Sequence, residues 1–263
     1  MKLEVQICTM GPEGLQRVGE MTLPRLENVS YTVCLQNPNN YECAVPQFLA
    51  SRDDIRILEH STRGLSRNRN FGLDRATGDI ILIADDDLKY TADGLRKIIG
   101  CFESHPEVDY ATFRHRGGDN KWFPEREFDF CDGEPKGYYL TSFELALRRS
   151  SIGEDTRFSV YFGLGAWFAA GEENLFELDM RRKGLRGRYF PLEIVEHPSV
   201  SSGSRKPTEG LLRAQGAFFR IKYGKGEGML RLLRDVPRRH TNWIRAAYHM
   251  ITGYSTVEGW LEG

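Results

Sequence analysis

The sequence predicts an α/β protein: a central, mainly parallel sheet flanked by helices, followed by a helical tail. Three observations carry this. Short β-rich runs alternate with helical patterns at the spacing of βαβ units through the first half of the chain. One run, residues 79–84 (Asp-Ile-Ile-Leu-Ile-Ala), is apolar on both faces, the mark of a central strand covered on two sides. After Gly203 the strand signals stop, and basic residues interleave with Leu and Phe instead. The expected organisation is one domain over 1–204 and a basic amphipathic helical extension over 205–263.

Taken in order, Leu3, Val5 and Ile7 form the first strand, 31–35 the second and 55–58 the third. A helix is expected over 65–76, with Ser66 near its start and Gly78 beyond its end. The buried run 79–84 is the fourth strand. Thr91 opens another helix whose Leu95, Ile98, Ile99 and Phe102 share one face, and Pro106 follows it. Residues 108–113 form a fifth strand. The stretch 114–137 is rich in charge, Gly and aromatics and reads as loops. A helix over 172–183 ends at Gly184, a natural residue for the turn after a helix. Residues 189–195 carry the last strand. In the tail, helices are expected to break near 224–228 and at Pro237.

Composition excludes several classes. Of 263 residues, 40% are hydrophobic, enough for a core and against wholesale disorder. Lys+Arg 36 nearly balances Asp+Glu 37, so net charge names no partner. The five cysteines form no C-x-x-C pair and are odd in number, which fits reduced thiols better than a disulfide framework. The first eight residues alternate polar and apolar, unlike a secretory leader. No run of about 18–20 apolar residues is present, so no membrane span is expected. A cytoplasmic protein is expected, peripheral at the inner face of the plasma membrane if the tail binds lipid.

Chemistry is concentrated at Asp85-Asp86-Asp87, which follow the most buried strand. In an open parallel sheet, ligands bind beyond the carboxyl ends of the strands. Adjacent carboxylates repel unless something positive neutralises them, and a hard divalent cation with oxygen ligands does so. Alternate residues face the same way, so Asp85 and Asp87 can share one ion while Asp86 points elsewhere. Such an ion suits a substrate carrying phosphates. The plainer alternative is a solvated acidic turn capping the next helix.

The segment Gly64-Leu65-Ser66-Arg67-Asn68-Arg69-Asn70-Phe71-Gly72-Leu73, followed by Ala76-Thr77-Gly78-Asp79 and the run to Asp87, resembles family 2 glycosyltransferases of GT-A fold. Phe162-Gly163-Leu164-Gly165 with Gly171-Glu172-Glu173 resembles that family's acceptor-side motif. Glu196-His197-Pro198 resembles its late histidine. Together the motifs span about residues 2–204. The chain departs from the family where many relatives carry Asp then Gly-Ser after the second strand; here it reads Gln36-Asn37-Pro38-Asn39-Asn40.

The resemblance implies a metal-dependent, inverting transfer of a sugar from a nucleotide-diphosphate donor to a hydroxyl acceptor, in bacterial surface-polysaccharide assembly. It implies Mn²⁺ or Mg²⁺ held by Asp85 and Asp87, with His197 completing the shell or meeting a phosphate. Thr9, Gln36, Arg67, Asn68, Asp85 and Asp86 fall on the nucleotide side, and Arg205 and Lys206 could close over the diphosphate, or form a solvated basic turn. Glu173 is the expected base and Glu172 the acceptor contact, the usual Glu-Asp pair being Glu-Glu here; acids also favour helix N-termini for the dipole alone. Gly165 permits close approach of the acceptor, and Trp167 offers either a flat face to a sugar ring or plain core packing.

Two other classes stay open. A sugar-nucleotide nucleotidyltransferase shares the sheet and the metal-bound aspartates, but it would carry basic residues in a Gly-rich loop after the first strand, and here none occurs before Arg17. A receiver-like domain would be about half this length and would leave Glu172-Glu173 without a role, whereas a non-catalytic nucleotide-binding module stays open. Residues 205–245 hold eleven Lys/Arg against three acids, a local excess of eight positive charges. That segment suits an anionic membrane surface bearing a saccharide or lipid-linked saccharide acceptor, or a helical tail packed on the core. No nucleic-acid module accompanies the charge.

Overall fold

The computed structural model describes residues 1–117, 121–197, 208–239 and 242–262. In chain order the elements are β1 (Leu3–Met10), α1 (Gly11–Glu20), β2 (Val29–Gln36), α2 (Gln47–Ala50), β3 (Ile55–His60), α3 (Leu65–Leu73), β4 (Ile80–Asp85), β5 (Lys89–Tyr90), α4 (Ala92–Ser104), β6 (Tyr110–Gly117), β7 (Phe128–Asp129), β8 (Leu145–Arg148), α5 (Glu172–Arg182), β9 (Gly187–His197), α6 (Glu209–Tyr223), α7 (Lys225–Arg239) and α8 (Trp243–Glu262). The chain gathers into two compact units. The first comprises Met1–Arg63, Arg67–Arg157 and Asp179–Ser204; the second comprises Gly64–Ser66, Phe158–Leu178 and Arg205–Gly263.

The first unit is a mixed sheet with the order β3-β2-β1-β4-β8-β6-β9-β5, and β7 pairs beside β9. Strands β1 to β4 run parallel. β8 then enters antiparallel between β4 and β6. The stretch 114–137, read from sequence as loops, differs at both ends: β6 continues to Gly117, and β7 adds a short pairing to β9. β8 itself offers only Leu145-Ala146-Leu147, all fully buried, too short a run for any period to be read. The helix α1 fills the segment after β1. Its Pro lies in the first turn, where the missing N–H costs nothing, and Leu15 and Val18 turn into the core. α4 is capped as expected, with the Thr91 hydroxyl accepting from the Gly94 N–H at 3.0 Å.

One buried acid ties β1, β2 and β3 to the turn before β4. Glu4, 1% exposed on β1, accepts from the Thr32 hydroxyl (2.6 Å), the Thr77 and Gly78 N–H groups (2.6 and 2.8 Å) and Arg56 Nη2 (2.8 Å). Burial pushes its carboxyl up, but those donors outweigh burial and hold it below its ordinary value of 4.5. The turn that feeds β4 is therefore pinned by a charge on β1.

In the second unit the tail helices pack on each other through two clusters. Phe162, Phe168, Leu175 and Leu178 meet Ala214, Ala217 and Val257; Leu212, Leu232, Val236, Ala246, Met250 and Tyr254 form the other. Backbone meets backbone between α6 and α8: a Cβ on Gly216 would lie 1.8 Å from the Met250 carbonyl oxygen, and one on Gly253 1.9 Å from that of Arg213. The break near Gly224 is present, whereas α7 continues through position 237 to Arg239 instead of stopping there. A proline inside a helix removes one ladder bond and crowds the carbonyl four residues back, which bends a helix as readily as it ends one.

Two outcomes follow. Glu4→Gln is expected to lower stability at neutral pH by about 2–3 kcal/mol, because several buried donors lose an ionised acceptor. A depressed folded pKa means the stabilisation is present above about pH 4.5 and is lost as pH falls through the folded value. Denaturant titrations from pH 7 to 3 should bring the two proteins together at the acid end. Gly253→Ala is expected to cost about 1–3 kcal/mol by overpacking α6 against α8. Gly226→Ala, whose added Cβ meets nothing within 4 Å, serves as the control and should be neutral or stabilising.

Candidate active site

β1 has β2 on one side and β4 on the other, so the chain reverses its direction of winding at the β1–β4 boundary. A crevice opens at such a point beyond the carboxyl ends of the strands. Thr9, Met10 and Asp85–Asp87 stand there. Asp85 ends β4 opposite Cys8 of β1, and Asp86 and Asp87 form the turn that follows.

The three carboxylates have different surroundings. Asp86 accepts from the Thr9 hydroxyl at 2.5 Å and from Arg17 on α1 through Nη2 (2.7 Å) and Nε (3.2 Å). Thr9 is 5% exposed, so it and Asp86 brace each other across the β1–β4 boundary. Asp85 lies 3.3 Å from Arg69 Nη2. Burial is the largest influence on its carboxyl and raises its pKa; Asp87 and Asp86 push the same way, and Arg69 pulls against them. Asp87 faces outward. Its Oδ2 stands 3.9 Å from His197 Nε2, and β5 makes this meeting possible by pairing Lys89 with Glu196 and Tyr90 with Val195. The His197 ring lies flat on Phe143, with centroids 5.0 Å apart and planes 12° apart.

Among the described residues, no group of three His, Cys, Asp or Glu side chains is drawn together as a complete metal cage. The donors present nevertheless fit a hard divalent cation. Asp85, at the end of β4, and Asp87, in the turn after it, provide hard oxygens, while Asp86 is engaged by Arg17. Mg²⁺-type ions commonly take one or two carboxylates and complete their shell with substrate phosphates and water.

On the nucleotide side, the sequence reading needs adjusting. Asn68, expected to touch the nucleotide, is 1% exposed and spans three strands instead. Its Nδ2 donates to the Thr9 and Cys34 carbonyls at 3.1 and 2.9 Å, and its Oδ1 meets His60 Nε2 at 2.9 Å. An amide so occupied braces the strand ends. Gln36 is likewise buried at the end of β2, donating to the Thr62 carbonyl at 3.0 Å. Arg67 is exposed. Arg69, which the motif reading gave no role, is 1% exposed and reaches both Asp85 and the Ser142 hydroxyl (2.7 Å). A signal existed: Arg69 lies four residues from both Leu65 and Leu73, on the inward stripe of α3. Arg17 was also passed over, because α1 was not recognised. Arg205 and Lys206 lie outside the described residues.

In the second unit, the loop before α5 folds back on itself. Gly163 N–H donates to the Phe168 carbonyl and Phe168 N–H to that of Tyr161, at 2.8 and 2.9 Å; the Phe162 and Phe168 rings stack inward at 4.6 Å. Ser66 Oγ and Leu65 N–H bond to the Phe162 and Leu164 carbonyls at 2.6 and 2.9 Å. Gly163 has φ +103, a backbone region closed to most side chains, and a Cβ there would come 3.1 Å from Glu172 Cδ. The glycine thus makes room for the acid. Glu172 is buried and Glu173 half-buried, each in the first turn of α5 where the helix dipole favours negative charge. Asn174 Nδ2 donates to Glu173 Oε1 at 2.9 Å. Trp167 is 66% exposed, which excludes the core-packing alternative, and Gly165 is exposed beside it.

Comparisons with known proteins fit this geometry. No curated protein matches the sequence. The model for glycosyl transferase family 2 matches residues 38–170, just over half of the chain. Among solved structures, Staphylococcus aureus TarS residues 1–349 matches with TM-score 0.59 and 14% identity, covering 97% of this chain and 81% of that one. The same TarS fragment in complex with UDP-GlcNAc matches with TM-score 0.55 and 14% identity, covering 100% and 92%. A mannosyltransferase from Pyrobaculum calidifontis, PcManGT, in complex with GDP-Man and Mn²⁺, matches with TM-score 0.55 and 14% identity, covering 98% and 75%. The sheet, the placement of the aspartates and the family match lead to one conclusion: the chain belongs to glycosyl transferase family 2 and is a glycosyltransferase of GT-A fold.

Proposed function

We propose that the chain transfers a sugar from a nucleotide-diphosphate donor to a hydroxyl acceptor with inversion, using Mn²⁺ or Mg²⁺. The observation that carries this is the division of labour among the three aspartates. Asp86 is held closely by Thr9 and Arg17, whereas Asp85 and Asp87 have only the longer contacts to Arg69 (3.3 Å) and His197 (3.9 Å), and these two would take the cation. When bound, the ion neutralises charge on the departing diphosphate. The two nucleotide-sugar complexes among the structural relatives support a donor of this class.

Glu173 is the proposed base. Its carboxylate takes the proton from the acceptor hydroxyl as that oxygen bonds to the anomeric carbon. The bond from that carbon to the diphosphate oxygen breaks, and the nucleoside diphosphate leaves with the electron pair. Glu172 orients the acceptor, and exposed Trp167 and Gly165 offer the saccharide a surface. Exposed Arg67 meets the donor phosphates. In domain terms, 1–204 carries the catalysis and 205–263 is an extension.

The acceptor is a saccharide or a lipid-linked saccharide, as in bacterial surface-polysaccharide assembly. No described helix is long and apolar enough to cross a membrane. The extension provides peripheral attachment to an anionic surface from the cytoplasmic side. Several of its apolar residues, Leu212 and Leu232 among them, are taken up by packing within the unit. Leu230, Leu233, Trp243, Ile244 and Tyr248 remain outside and are available to lipid.

A donor screen tests the chemistry. Purified protein with Mn²⁺ should release nucleoside diphosphate from one member of a nucleotide-sugar panel, and chelation should abolish release. Glu173→Gln should lower kcat by about 100- to 10,000-fold with donor binding nearly intact. Asp87→Ala should weaken donor and metal binding together. Pyrophosphate release from a nucleoside triphosphate and a sugar phosphate would overturn the reading. Attachment is tested separately by flotation with anionic liposomes. The full chain should float at low salt and be released by high salt; a chain that stays in the soluble fraction at low salt rules attachment out.

A further inference from the structure

A group of charged side chains lies buried behind His197, and the transfer reaction assigns it no role. The side chains of Lys121 and Glu144 are 0% exposed, and that of His115 is 3% exposed. Lys121 Nζ meets Glu144 Oε2 at 2.5 Å and the Thr141 hydroxyl at 2.7 Å. The other carboxylate oxygen, Oε1, meets His115 Nδ1 at 2.7 Å. The ammonium also faces the rings of Phe123 and Tyr139, 4.9 and 4.6 Å from their centroids. Burying these charges is expensive, and a well-packed apolar group of similar volume would serve stability as well or better. What an apolar group could not supply is direction.

The direction is toward His197. Phe143, next to Glu144 in the chain, is the ring on which His197 lies flat. His115, the ring held by Glu144, lies 6.0 Å from His197 and edge-on to Phe143 at 5.1 Å. His115 and His197 also sit on paired strands, with His115 opposite Val195 and Gly117 opposite His197. The turn bearing Phe143 and Glu144 is itself fixed by a capping box, in which Thr141 and Glu144 bond each other's backbone. One carboxylate therefore sets both aromatic neighbours of a single imidazole.

We propose that Lys121, Glu144 and His115, acting through Phe143, are positioning residues that fix the His197 ring in the orientation in which it faces Asp87. The proposal rests on the reading of Asp85, Asp87 and His197 as the metal side of the site. Outer partners of this kind orient a ligand without touching the ion.

The test reads Mn²⁺ binding directly, by electron paramagnetic resonance of the free ion in the presence of UDP, beside turnover. Phe143→Leu, which keeps an apolar side chain but removes the flat ring, should weaken Mn²⁺ binding by about 10- to 100-fold. Phe143→Tyr, which keeps the ring, should retain it, a contrast that a packing role alone would not produce. The double substitution Lys121→Met with Glu144→Gln removes both buried charges without stranding either, and should weaken Mn²⁺ binding to a similar degree while acceptor KM stays near its original value. If His197→Ala loses Mn²⁺ while Phe143→Leu and the double variant bind it as the unaltered protein does, the network only packs and the proposal is overturned. If His197→Ala binds Mn²⁺ normally, or the unaltered protein leaves the ion free, the metal-side reading itself fails and takes the proposal with it.

Discussion

Three adjacent carboxylates at the end of a strand with almost no water around it create a repulsion that the first unit must resolve. Each meets a different element. α1 sends Arg17 to Asp86, α3 sends Arg69 to Asp85, and β9, drawn in by the two-residue β5, brings His197 to Asp87. These partners come from distant parts of the chain, so the local charge problem constrains where helices and strands can lie. The hydroxyl of Thr9 adds a further link by joining β1 to the same turn. Without a positive partner, desolvation and mutual repulsion would favour protonated acids, which make poor ligands.

Much of this order was legible in the residues, for identifiable reasons. A six-residue run apolar on both faces can hardly be anything but a central strand, and acids placed directly after it are at the ligand edge. The motif order from Gly64 to His197 carried the family. Other features were hidden by the same physics that makes them work. Gly11-Pro12 reads as a turn, although a proline in the first turn is also a helix start, and α1 went unseen along with Arg17. β8 is too short to display alternation. Asn68 looked like a ligand contact because polar residues in such motifs usually are. Its burial beneath three strand ends depends on tertiary placement, which no local pattern encodes.

The second unit makes a different use of small residues. Around Gly163 the loop turns tightly enough to place an acid where a side chain would otherwise sit, so Glu172 is buried while Trp167 stays on the surface. Among the tail helices, Gly216 and Gly253 resemble helix-weakening residues in the sequence, yet each marks a place where one helix rests on the carbonyl of another. The propensity lost at each glycine is offset by contact that no larger residue would allow.

Asn68 has a consequence for how a nucleotide would be received. A single amide reaches the carbonyls of Thr9 and Cys34 and the imidazole of His60, and that imidazole in turn stacks on Phe71 at 4.1 Å. One side chain thereby ties together the ends of three parallel strands, β1, β2 and β3. Were a nucleotide to rest there, this surface would surrender little conformational entropy on association, and discrimination between bases would fall to the groups around it.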